Sequence, residues 1–378
     1  MMPGLTKYLH YIPLLMVGIL LCACNGTSPV KDTEVEEEKF ELAFPPIPDI
    51  PRFYYEMTFI HSNQLKERSE DLSWREILTG EKEGASGAEG LAKPYDVTAC
   101  GGRVYISDTV RRQVAVFDVN NRSYFTIGKK EPGILRKPLG LDSDADCNIY
   151  VADTTLNSVM VYDSKGQFIR ALGGKEWFHR LSHVAINPQG TRVYAVDTGG
   201  VQTEAHRIRV FDTQSGEHLH DIGTRGTEQG QFNLPKDIDI GTDGKVFVVD
   251  SGNFRVQVFD QEGTFIRTFG TVGNRSGQFA RPKGVATDPD GNIYVADTSF
   301  ANFQIFSAEG RLLMHIGERS DDNKPAGYML PSGIDVDADG RIYFVDQFYR
   351  KVDVFRPAAL PAGHGAIGHI LHPESGGG

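Results

Sequence analysis

The chain has 378 residues, a net charge of −11 at pH 7, 24% charged and 10% aromatic residues, and four cysteines. That acidic balance argues against nucleic acid as a partner, because phosphate binding rests on clustered positive charge. No Cys-x-x-Cys-His occurs, which excludes a covalently attached haem of the c type, and the about 300 residues left after leader, tether and tail are ample for one buried core.

Taken from the N-terminus, Lys7 is followed by an apolar stretch through Leu21 and then by LCAC at positions 21–24. An apolar run this short and this early is a secretory signal rather than the membrane span of a folded domain. Leu-x-Ala-Cys resembles the bacterial lipobox, which implies removal of residues 1–23 and attachment of diacylglycerol to the Cys24 thiol. Asn25 follows, where lipoproteins retained at the inner membrane carry Asp, so the resemblance implies an anchor in the outer membrane, on its periplasmic or its outer face. Residues 24–51 are poor in aromatics and contain DTEVEEEKFE and PPIPDIP. Their charge and proline predict a semi-extended tether.

Residues 52–358 read as one domain. An orphan strand, FYYEMTFI at 53–60, comes first, and a lid-like insertion at 61–90 contains DLSWREILTG, where Ser73 and Glu76 have capping-box spacing before a short helix. An apolar run ending in Asp then recurs six times, at Asp108, Asp153, Asp197, Asp250, Asp297 and Asp346. Each copy holds short runs of Val, Ile, Tyr and Phe split by turns such as PDGN and AEGR, the pattern of strands joined by hairpins. The second run is apolar at nearly every position, which suits a sheet covered on both faces. The spacing predicts an all-β fold, a six-bladed β-propeller with four-stranded antiparallel blades. The sixth copy breaks at Arg356-Pro357 after three strands, so the orphan strand is expected to close the last blade. AIGHIL at 366–371 is too short and polar to compete, and 359–378 reads as a flexible tail. Cys100 and Cys147 fall near the first hairpin turns of adjacent blades; a bridge would have to span neighbouring sheets, and two separate thiols are expected.

FNLPKDIDIGTDGKVFVVDSGNFRVQVFD at 232–260 and FARPKGVATDPDGNIYVADT at 279–298 resemble the NHL repeat, with its Phe-x-x-Pro-x-Gly start, Asp-Gly hairpin and Arg-x-Gln-Val-Phe. The resemblance extends over roughly residues 91–355. It implies a propeller whose relatives include RNA-binding and protein-binding modules, bacterial surface lipoproteins, and lyases such as the peptidyl-hydroxyglycine amidating enzymes. For the lipoprotein group it implies a partner role in envelope assemblies, including ones with multihaem cytochromes.

An Asp present in every blade is expected to satisfy backbone N–H groups of the following loop rather than to hold a metal. The Asp-rich turns lack EF-hand spacing. His183 alone among histidines opens an inner strand, where other copies carry Gly or Asp, and His179 and His206 share its face. The resemblance to zinc-dependent amidating lyases makes His183 a weak metal candidate, although one His falls short of the three or so ligands zinc needs. No nucleophile with a base, P-loop or HExxH is present, so no catalytic residue is assigned and no cofactor is expected. The loops between second and third strands and the links between blades vary in length and share one face, the expected binding face. On it Lys93, Lys137, Arg180, Lys236, Arg281 and Lys283 flank the residue, mostly Pro, that opens the inner strands of the first five copies, a basic ring on an acidic protein. Trp177 and Phe178 beside Arg180 are expected to be exposed interface aromatics. The reading is a noncatalytic envelope scaffold tethered to the membrane through lipid and bound to envelope proteins; a metal-dependent lyase or hydrolase using the central pocket is the alternative.

Overall fold

The computed structural model describes residues 41–65 and 89–371. The inner strands Pro94–Cys100, Pro138–Ser143, Leu181–Ile186, Pro235–Ile240, Pro282–Thr287 and Pro331–Val336 each contact the next around an axis, and the last contacts the first. Each leads an antiparallel sheet, the first five in simple chain order and the sixth completed by N-terminal strands. The predicted six blades are therefore present. The hairpin turns form where expected, with Gly291 and Gly340 at φ 82° and 79°, a left-handed conformation that glycine adopts without Cβ strain.

The core consists of six apolar wedges, one between each pair of neighbouring blades. Second strands such as Ile149–Asp153 and Ile293–Asp297 are buried along their whole length. They feed alternate side chains to the wedge on either side, which is why their sequences do not alternate in polarity.

Closure follows the prediction. Phe53–Phe59 pairs antiparallel with Lys351–Pro357, running from Phe53 opposite Pro357 to Phe59 opposite Val352. The sheet starts earlier than residue 52, however, because Ala43–Phe44 pairs with Phe53 and Tyr54 as a fifth strand. Ala43 is buried and the Phe44 ring lies 5.5 Å edge-on to Phe355. Ala43 and Phe44, just ahead of the prolines, thus draw the end of the supposed tether onto the blade, while Ile47 and Ile50 between the prolines stay exposed. The expected flexible tail is corrected in the same way: Gly365–Leu371 is a short helix, and Ile367 is buried in the wedge between blades six and one. Cys24 and the capping-box stretch at 71–80 lie outside the described residues.

Cys100 and Cys147 are joined in a disulfide with a Cα separation of 5.7 Å, contrary to the expectation of separate thiols. The end of one inner strand and the first turn of the next blade meet, so the bridge spans two neighbouring sheets, with Cys147 in a left-handed turn conformation at φ 58°. The two residues are 47 apart in sequence, and Cys100→Ser is expected to cost about 2–4 kcal/mol by freeing the unfolded chain. Urea melts of oxidised protein and the variant measure this; equal midpoints would show that the bridge contributes nothing.

Candidate functional site

The repeated Asp organises the loop-rich face. Asp108 accepts from the N–H groups of Val110 and Arg111 in the following loop, as predicted, but also from those of Ala92 and Lys93. Asp153 takes the Lys137 N–H, Asp197 the Arg180 N–H and Asp297 the Arg281 N–H. Each carboxylate therefore ties down the link that enters its own blade and fixes one cation of the basic ring at the backbone. Lys93, Lys137, Arg180 and Arg281 are exposed on the rim.

Lys236 and Lys283 differ from these four. They follow the opening Pro of their strands, where each inner strand carries a register shift, and such a bulge re-aims the local side chains. Both are half-buried at the axial mouth. Burial, with the nearby charges of Arg180 and Arg281, lowers the Lys236 ammonium to about 8. Burial and the Arg281 charge lower Lys283 to about 7, and its Nζ lies 4.6 Å from the centroid of the Tyr95 ring across the mouth.

Beneath this layer the channel is plugged. His183 Nε2 lies 2.6 Å from Asp96 Oδ2, and its Nδ1 lies 2.8 Å from Asp237 Oδ1, all three side chains being buried. Burial alone would lower the imidazole, but the two carboxylates prevail and hold it charged well above its ordinary range. The copies that carry Gly at this position make room for the cluster: a Cβ on Gly140 would meet the His183 ring at 2.1 Å, and one on Gly333 would meet Asp96 Oδ1 at 2.1 Å. Deeper still, Asp142, Asp239 and Asp335 converge from alternate blades, accepting respectively from Ile186 N–H, Thr287 Oγ1 and Ala99 N–H on the following blade. Burial, then mutual repulsion, raises Asp142 to about 7, and burial raises Asp239 to about 6. The cavity among these groups is about 20 Å³.

The weak metal candidate is not sustained. His183 Nε2 is hydrogen-bonded to Asp96 and Nδ1 lies in an ion pair with Asp237, and an imidazole held charged between two carboxylates offers no lone pair to a metal. His206 is buried, its Nε2 2.9 Å from the Gly200 carbonyl and its Nδ1 accepting from Leu234 N–H, while His179 is exposed. Among the described residues no group of three or more His, Cys, Asp or Glu side chains, the two axial clusters included, has an arrangement that could hold a metal ion.

The two aromatics are also corrected. Phe178 is buried in the wedge between blades two and three, and Trp177 packs against that wedge, stacked on His218 at 4.7 Å with the Arg209 guanidinium 5.6 Å from its ring centroid. The link folds back against the third blade and consumes both rings in packing. Exposed apolar side chains on the loop-rich face include Val110, Val201 and Phe348, each in a loop between second and third strands, and Val272 in the link between the fourth and fifth blades. Sequence reasoning also missed Asp96 and Asp237; the one available signal was that the strand position of His183 holds only Asp, His or Gly in all six copies. A separate groove of about 440 Å³, lined by Arg52, Asp290, Tyr294 and Leu360 among others, lies at the hairpin side of the closure seam, away from these charges.

The sequence profile of the NHL repeat matches residues 232–259 and 279–306. A segment of 116 residues is 29% identical to human NHL repeat-containing protein 3, covering 28% of this chain and 32% of that protein. Another, of 45 residues, is 42% identical to human E3 ubiquitin-protein ligase TRIM32, covering 12% of this chain and 7% of the ligase. The matches thus span a third or less of those relatives. Among solved structures, a protein of unknown function from Bacteroides thetaiotaomicron aligns with a TM-score of 0.57 at 17% identity, covering 71% of this chain and 70% of its own. A gluconolactonase from Xanthomonas campestris aligns at 0.53 and 13% identity (71% and 86%), and Kuenenia stuttgartiensis hydrazine synthase at 0.51 and 14% (74% and 99%). At such identities the likeness is one of fold alone.

Proposed function

We propose that this chain, an NHL-repeat β-propeller, is a noncatalytic protein-interaction module of a cell envelope, lipid-anchored to the outer membrane at Cys24, whose loop-rich face docks an acidic surface of an envelope protein. The observation that carries the reading is the rim of Lys93, Lys137, Arg180 and Arg281, exposed on one face of an acidic protein and each fixed at its backbone N–H by the blade's Asp. A positive mouth on a negative body steers an acidic partner to that face. Val110, Val201 and Phe348 supply apolar contacts around it. The Cys100–Cys147 disulfide supports a compartment outside the reducing cytosol. Multihaem cytochromes are among the partners that the resemblance to bacterial lipoproteins suggests.

The plugged axis does not favour a central-pocket enzyme. Substrate pockets run to roughly 300–1,000 Å³, and the axial cavity of about 20 Å³ accommodates about one water.

The test is quantitative capture from native membranes with the detergent-solubilised lipoprotein, comparing wild type with the double variant Lys137→Glu, Arg281→Glu at low and high salt. Docking at low salt is expected to weaken by roughly tenfold or more, the difference shrinking as salt screens the rim. Haem absorbance and mass spectrometry of the retained material identify the partner. A stoichiometric partner held equally well by the double variant at low salt would refute the basic face as the dock.

A further inference from the structure

The axial mouth has a feature that protein docking alone does not require. Rim charges are solvated and cost little, but Lys236 and Lys283 are half-buried, and burial of a cation without a counter-charge is costly. Among the described residues no carboxylate forms an ion pair with Arg180, Lys236, Arg281 or Lys283. The carboxylates nearest below, Asp96 and Asp237, are already engaged by His183. Along this stretch of the axis five cations therefore face two carboxylates, and the lysines repel each other and the Arg281 guanidinium across the opening. The Tyr95 ring beside the Lys283 ammonium gives a polarisable wall but no full negative charge.

The geometry points to the axial mouth as a binding site for a small multivalent oxyanion, of the phosphate or polycarboxylate class, seated between Lys236 and Lys283 under the Arg180 and Arg281 guanidinium groups. The site lies within the docking face and rests in part on that reading. The excess of cations calls for a ligand of more than one negative charge. Guanidinium forks at the rim suit the paired oxygens of phosphate or carboxylate, while the lysines below act as point charges. The plug of Asp96, His183 and Asp237 forms the floor, so the ligand enters and leaves by the loop-rich face. Binding restores the full charge of both lysines and so takes up protons. Affinity then falls as pH rises from 6.5 to 9, the groups facing the lysines being Arg180, Arg281, Tyr95 and the charged plug.

Thermal unfolding and titration calorimetry of the full-length protein in detergent test the site, with sulfate standing for the phosphate class because it stays dianionic from pH 6.5 to 9, with citrate for polycarboxylates, and with chloride at matched ionic strength. The expected result is a saturable rise in Tm with sulfate, citrate or both at pH 6.5, weaker at pH 9 and absent with chloride. Preference for sulfate assigns the phosphate class and preference for citrate the polycarboxylate class. General stabilisation by kosmotropic anions does not saturate and persists in every variant. Lys283→Met keeps the aliphatic stem and removes the charge: it is expected to raise the Tm of the unliganded protein while weakening anion binding by roughly tenfold or more. Anion effects no larger than those of chloride, or unchanged affinity in Lys283→Met, would overturn the site. Loss of partner docking with anion binding intact would count against the docking reading alone, and the converse against this site alone.

Discussion

Glu56→Ala is expected to destabilise the propeller by about 3–5 kcal/mol, because the buried Arg341 guanidinium loses its closest counter-charge and keeps only the partly exposed Asp339, 3.3 Å from Nη1. Glu56 lies on the N-terminal strand that closes the ring, and Arg341 immediately precedes the second strand, Ile342–Asp346, of the blade it closes. Arg341 Nε donates to Glu56 Oε2 at 2.7 Å, with both side chains at most 1% exposed. The same guanidinium reaches the His364 carbonyl at 2.5 Å, ahead of the C-terminal helix, and Arg356 Nε lies 3.9 Å from Glu56 Oε1. One carboxylate thus holds the first strand, the last blade and the C-terminal segment together. Urea melts followed by tryptophan fluorescence and far-ultraviolet circular dichroism measure the loss. A double variant, Glu56→Leu with Arg341→Met, removes both charges at similar volume and is expected to recover most of it. A loss below about 1 kcal/mol in Glu56→Ala would place the pair in the class of solvated surface ion pairs and refute the closure lock.

The repeat and its closure were legible because both are written in local patterns. Asp108, Asp153 and their counterparts mark the period, the turn glycines mark the hairpins, and the missing fourth strand after Arg356 calls for an extra strand elsewhere. The rim was legible for the same reason, since every rim cation sits at one repeat position. The plug was not, because His183 reaches Asp96 across 87 residues and Asp237 across the next blade boundary. Only closure of the ring brings strand starts from blades one, three and four to one point. Trp177 misled for a related reason: aromatic residues beside Arg describe an interface core equally well whether the partner is another protein or the next blade. The Cys100–Cys147 bridge likewise depends on how closely neighbouring inner hairpins approach, a distance set by the ring and absent from the spacing of either cysteine.

His183→Gln is the second substitution expected to have a large effect, about 3–5 kcal/mol at pH 7, because it leaves Asp96 and Asp237 buried at the axis without the cation between them. Its dependence on pH distinguishes charge from packing. The folded-state pKa of His183 is raised well above the ordinary 6.5 of the unfolded chain, so folding binds a proton between these two values. The stabilisation is fully present below the unfolded value and is lost as pH rises through the folded one. Asp142 and Asp239 add a slope of the same sign: raised to about 7 and about 6 from 3.8, they bind more protons folded than unfolded, and stability falls as pH rises from 3.8 through those values. In His183→Gln the orphaned carboxylates can protonate in acid, so the difference from wild type is expected to be small near pH 4 and to open toward pH 7. In the alkaline range it closes again, as wild-type His183 gives up its proton. Urea melts of both proteins at pH 4.5, 7 and 9.5 measure the three regimes. A gap of the same size at all three pH values would show that the imidazole serves only as packing, and the axis would then be held by the six apolar wedges without an ionic plug.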